Sequence, residues 1–76
     1  MTKVEVLLDN LEKVNKFVNN LKKFDCEFDL GTSRVMIDAK SILGILSLGL
    51  GQPLALTIHK SEDIDEILNT IEPFMV

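Results

Sequence analysis

The stretch Lys3–Leu8 begins with alternation and ends fully apolar at Val6, Leu7 and Leu8, which predicts a first strand. Asp9 and Asn10 follow, and either side chain can cap a helix. Leu11, Val14, Phe17, Val18 and Leu21 then recur at helical spacing, predicting an amphipathic helix over about residues 11–24. Its other face carries Glu12, Lys13, Lys16, Asn19, Asn20, Lys22 and Lys23. Cys26, Phe28 and Leu30 alternate with Glu27 and Asp29, as in a half-buried strand. Gly31–Arg34 has turn chemistry, and Val35–Ile37 reads as the partner strand of a hairpin. Leu54, Leu56 and Ile58 alternate through Pro53–His59 and give a fourth strand. Ser61 is the expected cap of a last helix whose stripe is Ile64, Ile67, Leu68 and Ile71. Pro73 ends or frays that helix, leaving Phe74, Met75 and Val76 as an apolar tail.

Between the third and fourth strands lies Lys40–Pro53, KSILGILSLGLGQP. Ser41 suits a helix start, and Ile42–Leu48 carries no charge at all. A short helix that is apolar nearly all round must bury one side and leave the other covered or adhesive. Gly49 and Gly51 allow the chain to stop and turn. The whole order is β-α-β-β-α-β-α. Four short strands need a helical layer to bury their apolar face. The expected class is therefore α+β: an open-faced sandwich with a four-stranded antiparallel sheet and three helices on one face. Residues 1–76 form one domain, with no repeat or linker.

Net charge is −4, which argues against nucleic acid and against an anionic membrane surface. No apolar run reaches the roughly 20 residues of a spanning helix, and MTKVEVLLDN lacks a signal-peptide layout. A cytoplasmic protein is expected. Cys26 is the single cysteine and is expected to behave as a small buried or half-buried apolar residue. No residue spacing calls for a metal or another cofactor. The acidic run Glu62, Asp63, Asp65 and Glu66 lacks calcium-loop spacing and reads as a solvated helix face.

The stretch Lys40–Gly51 resembles the Lys-Ser-Ile-Met-Gly-Val-Met-Ser-Leu-Gly segment of the HPr family, the small phosphocarriers of the bacterial sugar phosphotransferase system. The order of elements is similar along nearly the whole chain. The resemblance implies an HPr-like open-faced sandwich. Family members carry phosphate on a histidine at the start of the first helix, within Gly-Leu-His-Ala-Arg-Pro. A neutral imidazole is the nucleophile there, and helix N–H groups with an arginine hold the phosphoryl oxygens. The corresponding stretch of this chain is LLDNLEKVN. In helix register, Asn10 stands at the histidine position and Glu12 at the arginine position. An amide nitrogen is a poor phosphoryl nucleophile, and a carboxylate repels phosphate.

His59 is the only histidine and is expected at an exposed strand end, away from the first helix's N-terminus. Ser41 matches the serine that a dedicated kinase phosphorylates in many Gram-positive HPr proteins, where the modified serine and adjacent apolar residues dock a regulator. Leu43 and Leu46 match the family's two exposed methionines, and Lys40 is placed to pair with phosphate on Ser41. The resemblance thus implies a non-catalytic protein that binds a protein partner through Lys40, Leu43 and Leu46, with Ser41 as a regulatory phosphorylation site. Two alternatives stand beside it. One is an active phosphocarrier using another residue, and the other is a homodimer that hides the second helix.

Overall fold

The computed structural model describes residues 1–59 and 61–76. Its elements are β1 (Thr2–Leu7), α1 (Leu11–Leu21), β2 (Phe28–Gly31), β3 (Met36–Asp38), α2 (Ile42–Leu48), β4 (Pro53–Ile58) and α3 (Ile64–Ile71). A 3-10 turn, Glu72–Phe74, follows α3 directly. The four strands form one antiparallel sheet in the order β1-β4-β2-β3. The expected α+β architecture is the one observed.

Register explains why one sheet face is covered. Val4 opposes Leu56, Leu56 opposes Leu30, and Leu30 opposes Ile37, so a single apolar row crosses all four strands. Val6–Leu54 and Ile58–Phe28 pairs flank it. Side chains alternate along a strand, so these residues share the face on which the helices lie. Val14, Phe17, Val18 and Leu21 of α1, Ile45 of α2, and Ile67 and Ile71 of α3 complete the core. The opposite face carries Lys3, Glu5, Asp29, Thr57 and Asp38.

Several boundaries differ from expectation. The first helix ends at Leu21 rather than Phe24, because Lys23 and Phe24 donate back three residues, to the Asn20 and Leu21 carbonyls, in a tightening turn. Phe24 is nevertheless buried. Leu11, expected in the buried stripe, is 53% exposed at the first position of α1. The second strand begins at Phe28, and Cys26 lies ahead of it, half-buried against the core. Ser61 does not cap α3. That helix begins at Ile64 after Asp63, while the Ser61 hydroxyl accepts the Asp63 N–H in a preceding turn.

The C-terminal residues are not a loose tail. Phe74 is buried and meets Phe17 edge-on, with ring centroids 5.4 Å apart and planes at 80°. Met75 bridges Val6, and the Val76 N–H donates to the Glu5 carbonyl at 3.1 Å. The end of the chain therefore covers part of the free edge of β1, which would otherwise present unpaired backbone groups.

Candidate functional site

The start of α1 is built from Asp9, Asn10 and Glu12. Asn10 is extended (φ −154°, ψ 166°), and its Oδ1 accepts the Lys13 N–H at 2.8 Å. It is thus an ordinary helix N-cap that fills an otherwise orphan donor. Its Nδ2 donates to Asp9 Oδ1 at 3.3 Å. The Lys13 ammonium lies 3.1 Å from the same Asp9 oxygen, and Lys16 lies 3.1 Å from Glu12. Two carboxylates therefore stand at this helix start, each with a lysine one turn on. Acidic groups suit the helix dipole at this end, and they make the helix start locally negative.

The second half of the candidate site is α2. Ser41 is its cap: the Oγ accepts the Gly44 N–H at 3.0 Å, and the Ser41 carbonyl accepts the Ile45 N–H at 3.0 Å. The C-terminal end is equally well closed. Gly49 donates to the Leu46 carbonyl at 3.2 Å, and Gln52 Nε2 donates to the Leu48 carbonyl at 2.6 Å. Gly49 and Gly51 both have positive φ, 90° and 84°, where a side chain would be strained. The helix bounds are those the capping residues predict.

Ile45 is fully buried, and Ile42 and Leu48 are half-buried against the core. The other face points to solvent. Leu43 is 80% exposed, Leu46 38% and Leu50 42%. Leu43 and Leu46 stand where the sequence expected exposed side chains. Leu50 was not singled out; it lies beyond the Gly49 C-cap, in the turn after α2, where helical spacing does not apply. The Gly51 N–H donates to the Leu8 carbonyl at 3.1 Å, which fixes the turn after α2 beside the start of α1.

Lys40 is committed inward. Its ammonium donates to the Phe24 carbonyl at 2.7 Å and lies 5.5 Å from the centre of the Phe28 ring. It ties α2's approach to the end of α1 rather than standing free beside Ser41. His59 follows β4, and its Nε2 lies 2.7 Å from Asp29 Oδ2 on the open side of the sheet. Ile58 pairs with Thr2 and Pro53 with Leu7. His59 is therefore beside the start of β1, whereas α1 begins just beyond the end of β1, at the opposite end of the sheet. Among the described residues, no group of three or more His, Cys, Asp and Glu side chains is arranged to hold a metal ion. Among them, too, no helix is long and apolar enough to cross a membrane.

The family model for the PTS HPr component phosphorylation site matches residues 12–76. The chain belongs to the HPr family. Solved HPr structures share its fold: HPr-C-His from Thermoanaerobacter tengcongensis is 26% identical, with TM-score 0.77, covering 96% of this chain and 89% of that one. The phosphocarrier protein HPr from Bacillus anthracis str. Ames is 23% identical, with TM-score 0.74, covering 99% of this chain and 96% of that one. No curated protein matches the chain in sequence. HPr proteins are phosphocarriers rather than catalysts, and they work by contact with other proteins of the phosphotransferase system.

Proposed function

We propose that this HPr-family chain is a non-catalytic binding protein that recognises a protein partner through the exposed ridge of α2, with Ser41 as a regulatory phosphorylation site. The observation that carries this reading is the apolar ridge itself. Leu43, Leu46 and Leu50 are exposed on a segment without charge, beside the start of α1. Leu43 and Leu46 on α2, with Leu50 in the turn just past its Gly49 cap, are the recognition feature of this reading.

The state of the α1 start supports the non-catalytic part. Asn10, at the family's histidine position, has its carboxamide engaged in capping. Glu12, at the arginine position, adds negative charge. The family match begins at residue 12, after Asn10. The partner is a protein; neither nucleic acid nor a membrane surface suits a chain of net charge −4. A cytoplasmic setting follows from the same phosphotransferase ancestry.

Pull-down with the wild-type chain and with Leu43→Asp and Leu46→Asp tests the reading. A charge at either position should abolish recovery of the partner while the fold persists. Unchanged recovery would remove α2 as the docking surface. The alternative is a working phosphocarrier that uses an unrecognised residue. It predicts an acid-labile phosphoprotein after incubation with phosphoenolpyruvate and the system's first enzyme, and no label on the intact protein would end it. A homodimer hiding α2 predicts a concentration-dependent mass in sedimentation that Leu43→Asp returns to one chain.

A further inference from the structure

The sheet has two outer edges, and the chain treats them differently. Beside β1, Met75 bridges Val6 and the Val76 N–H donates to the Glu5 carbonyl. β3 forms the other edge, since the strand order is β1-β4-β2-β3. Among the described residues, no strand or bridge pairs with its outer side. Val35 is 49% exposed and Met36 50%, and Asp38 is exposed beside them.

The inner hydrogen bonds settle which backbone groups of β3 face outward. The Thr32 N–H donates to the Val35 carbonyl at 2.9 Å, and the Ala39 N–H donates to the Phe28 carbonyl at 3.0 Å. Along an antiparallel strand, successive residues turn their backbone groups to one neighbour and then to the other. Val35, Ile37 and Ala39 therefore face β2, and Met36 and Asp38 face the free edge. The Asp38 carbonyl is occupied, because it accepts the Ser41 N–H at 3.0 Å. The groups left open at this edge are the Met36 N–H, the Met36 carbonyl and the Asp38 N–H.

We propose that β3 pairs antiparallel with β3 of a second copy of this chain, about a two-fold axis at Met36. In that register the two Met36 residues exchange both backbone hydrogen bonds. Val35 then lies opposite Ile37 of the partner copy, and Arg34 lies opposite its Asp38. The stretch Arg34-Val35-Met36-Ile37-Asp38 is thus its own antiparallel complement: positive, apolar, methionine, apolar, negative. Arg34 is the one arginine of the chain, it is exposed, and among the described residues no carboxylate pairs with it. Neighbouring registers are worse. An axis at Ile37 sets Arg34 against Lys40 and asks the occupied Asp38 carbonyl to accept. An axis at Asp38 sets two carboxylates face to face. Cross-strand pairs of opposite charge are favourable and like charges unfavourable, which selects the Met36 register. A patch that complements itself is what a two-fold contact requires. The edge is short, so the contact is transient, with a Kd of roughly 0.1–1 mM. It uses neither Leu43 nor Leu46, and it stands or falls independently of the partner-binding reading.

The test is a series of amide spectra and diffusion measurements on the whole chain, from about 0.05 to 2 mM, a range that brackets this Kd. Saturable shifts should centre on Val35–Asp38, with diffusion slowing as the chain is concentrated. Arg34→Glu, at an exposed turn position, should weaken association about tenfold, because two symmetry-related attractions become repulsions. Salt of about 0.5 M should weaken association of the wild type and strengthen that of Arg34→Glu, since screening acts on both signs. Leu43→Asp should leave the association unchanged. Shifts and diffusion that do not vary with concentration would overturn the proposal. So would association that Leu43→Asp removes, unaltered association in Arg34→Glu, or a salt response of the same sign in both chains.

Discussion

Ser41 has two demands on one oxygen. Its Oγ caps α2 by accepting the Gly44 N–H, and the same oxygen is the proposed phosphate acceptor. The two uses separate by mutation. Ser41→Ala removes the cap and should cost about 1 kcal/mol in chemical denaturation. Ser41→Asp keeps an acceptor at the cap and adds negative charge, so stability should stay close to wild type while partner recovery changes. If both variants recover the partner as wild type does, Ser41 is a cap only. Gly31 shows a different constraint. It is buried in β2, and a Cβ there would collide with the Val35 carbonyl oxygen across the hairpin. Gly31→Ala should therefore destabilise the chain by about 1–3 kcal/mol, the usual range for overpacking, measured by urea midpoint.

At the scale of elements, α2 has two faces with different sensitivities. Ile45 is fully buried, and Ile45→Ala should cost about 2–5 kcal/mol. Leu43 is 80% exposed, and Leu43→Asp should change stability by about 0.5 kcal/mol or less. Thermal unfolding of the two variants side by side checks this asymmetry. The element was legible in the sequence because its signals are local: a serine at the start, glycines at the end, and no charge between them. The start of α3 was less legible. Ser61 looked like a cap, but its hydroxyl closes a turn instead, and acidic residues run through both the turn and the first helical turn. The C-terminal segment was not legible at all beyond its apolar character. Its contacts reach from Phe74 to Phe17 and from Met75 to Val6, and no local pattern encodes pairing across that separation. Phe74→Ala should cost about 3–5 kcal/mol, revealing an anchor rather than a frayed end.

Over the whole molecule, the sheet brings the start of α1 and the end of α2 to one side through the Gly51–Leu8 hydrogen bond. The family's fold is intact there, and strand alternation with two helix stripes was enough to foresee it. The leucine ridge was foreseen at Leu43 and Leu46 but not at Leu50. The inward use of Lys40 was not foreseen, because its acceptor is a backbone carbonyl at the far end of α1. The proposed loss of carrier chemistry rests on what stands beside that shared architecture: a carboxamide and two carboxylates at the helix start, and the only histidine at the far end of the sheet. Incubation of the intact chain with phosphoenolpyruvate and the system's first enzyme, read by intact mass under conditions that preserve phosphohistidine, probes this directly. The chain should gain no phosphoryl group while a histidine-bearing HPr in the same tube is fully modified; a phosphorylated product from this chain would contradict the proposed loss of carrier chemistry.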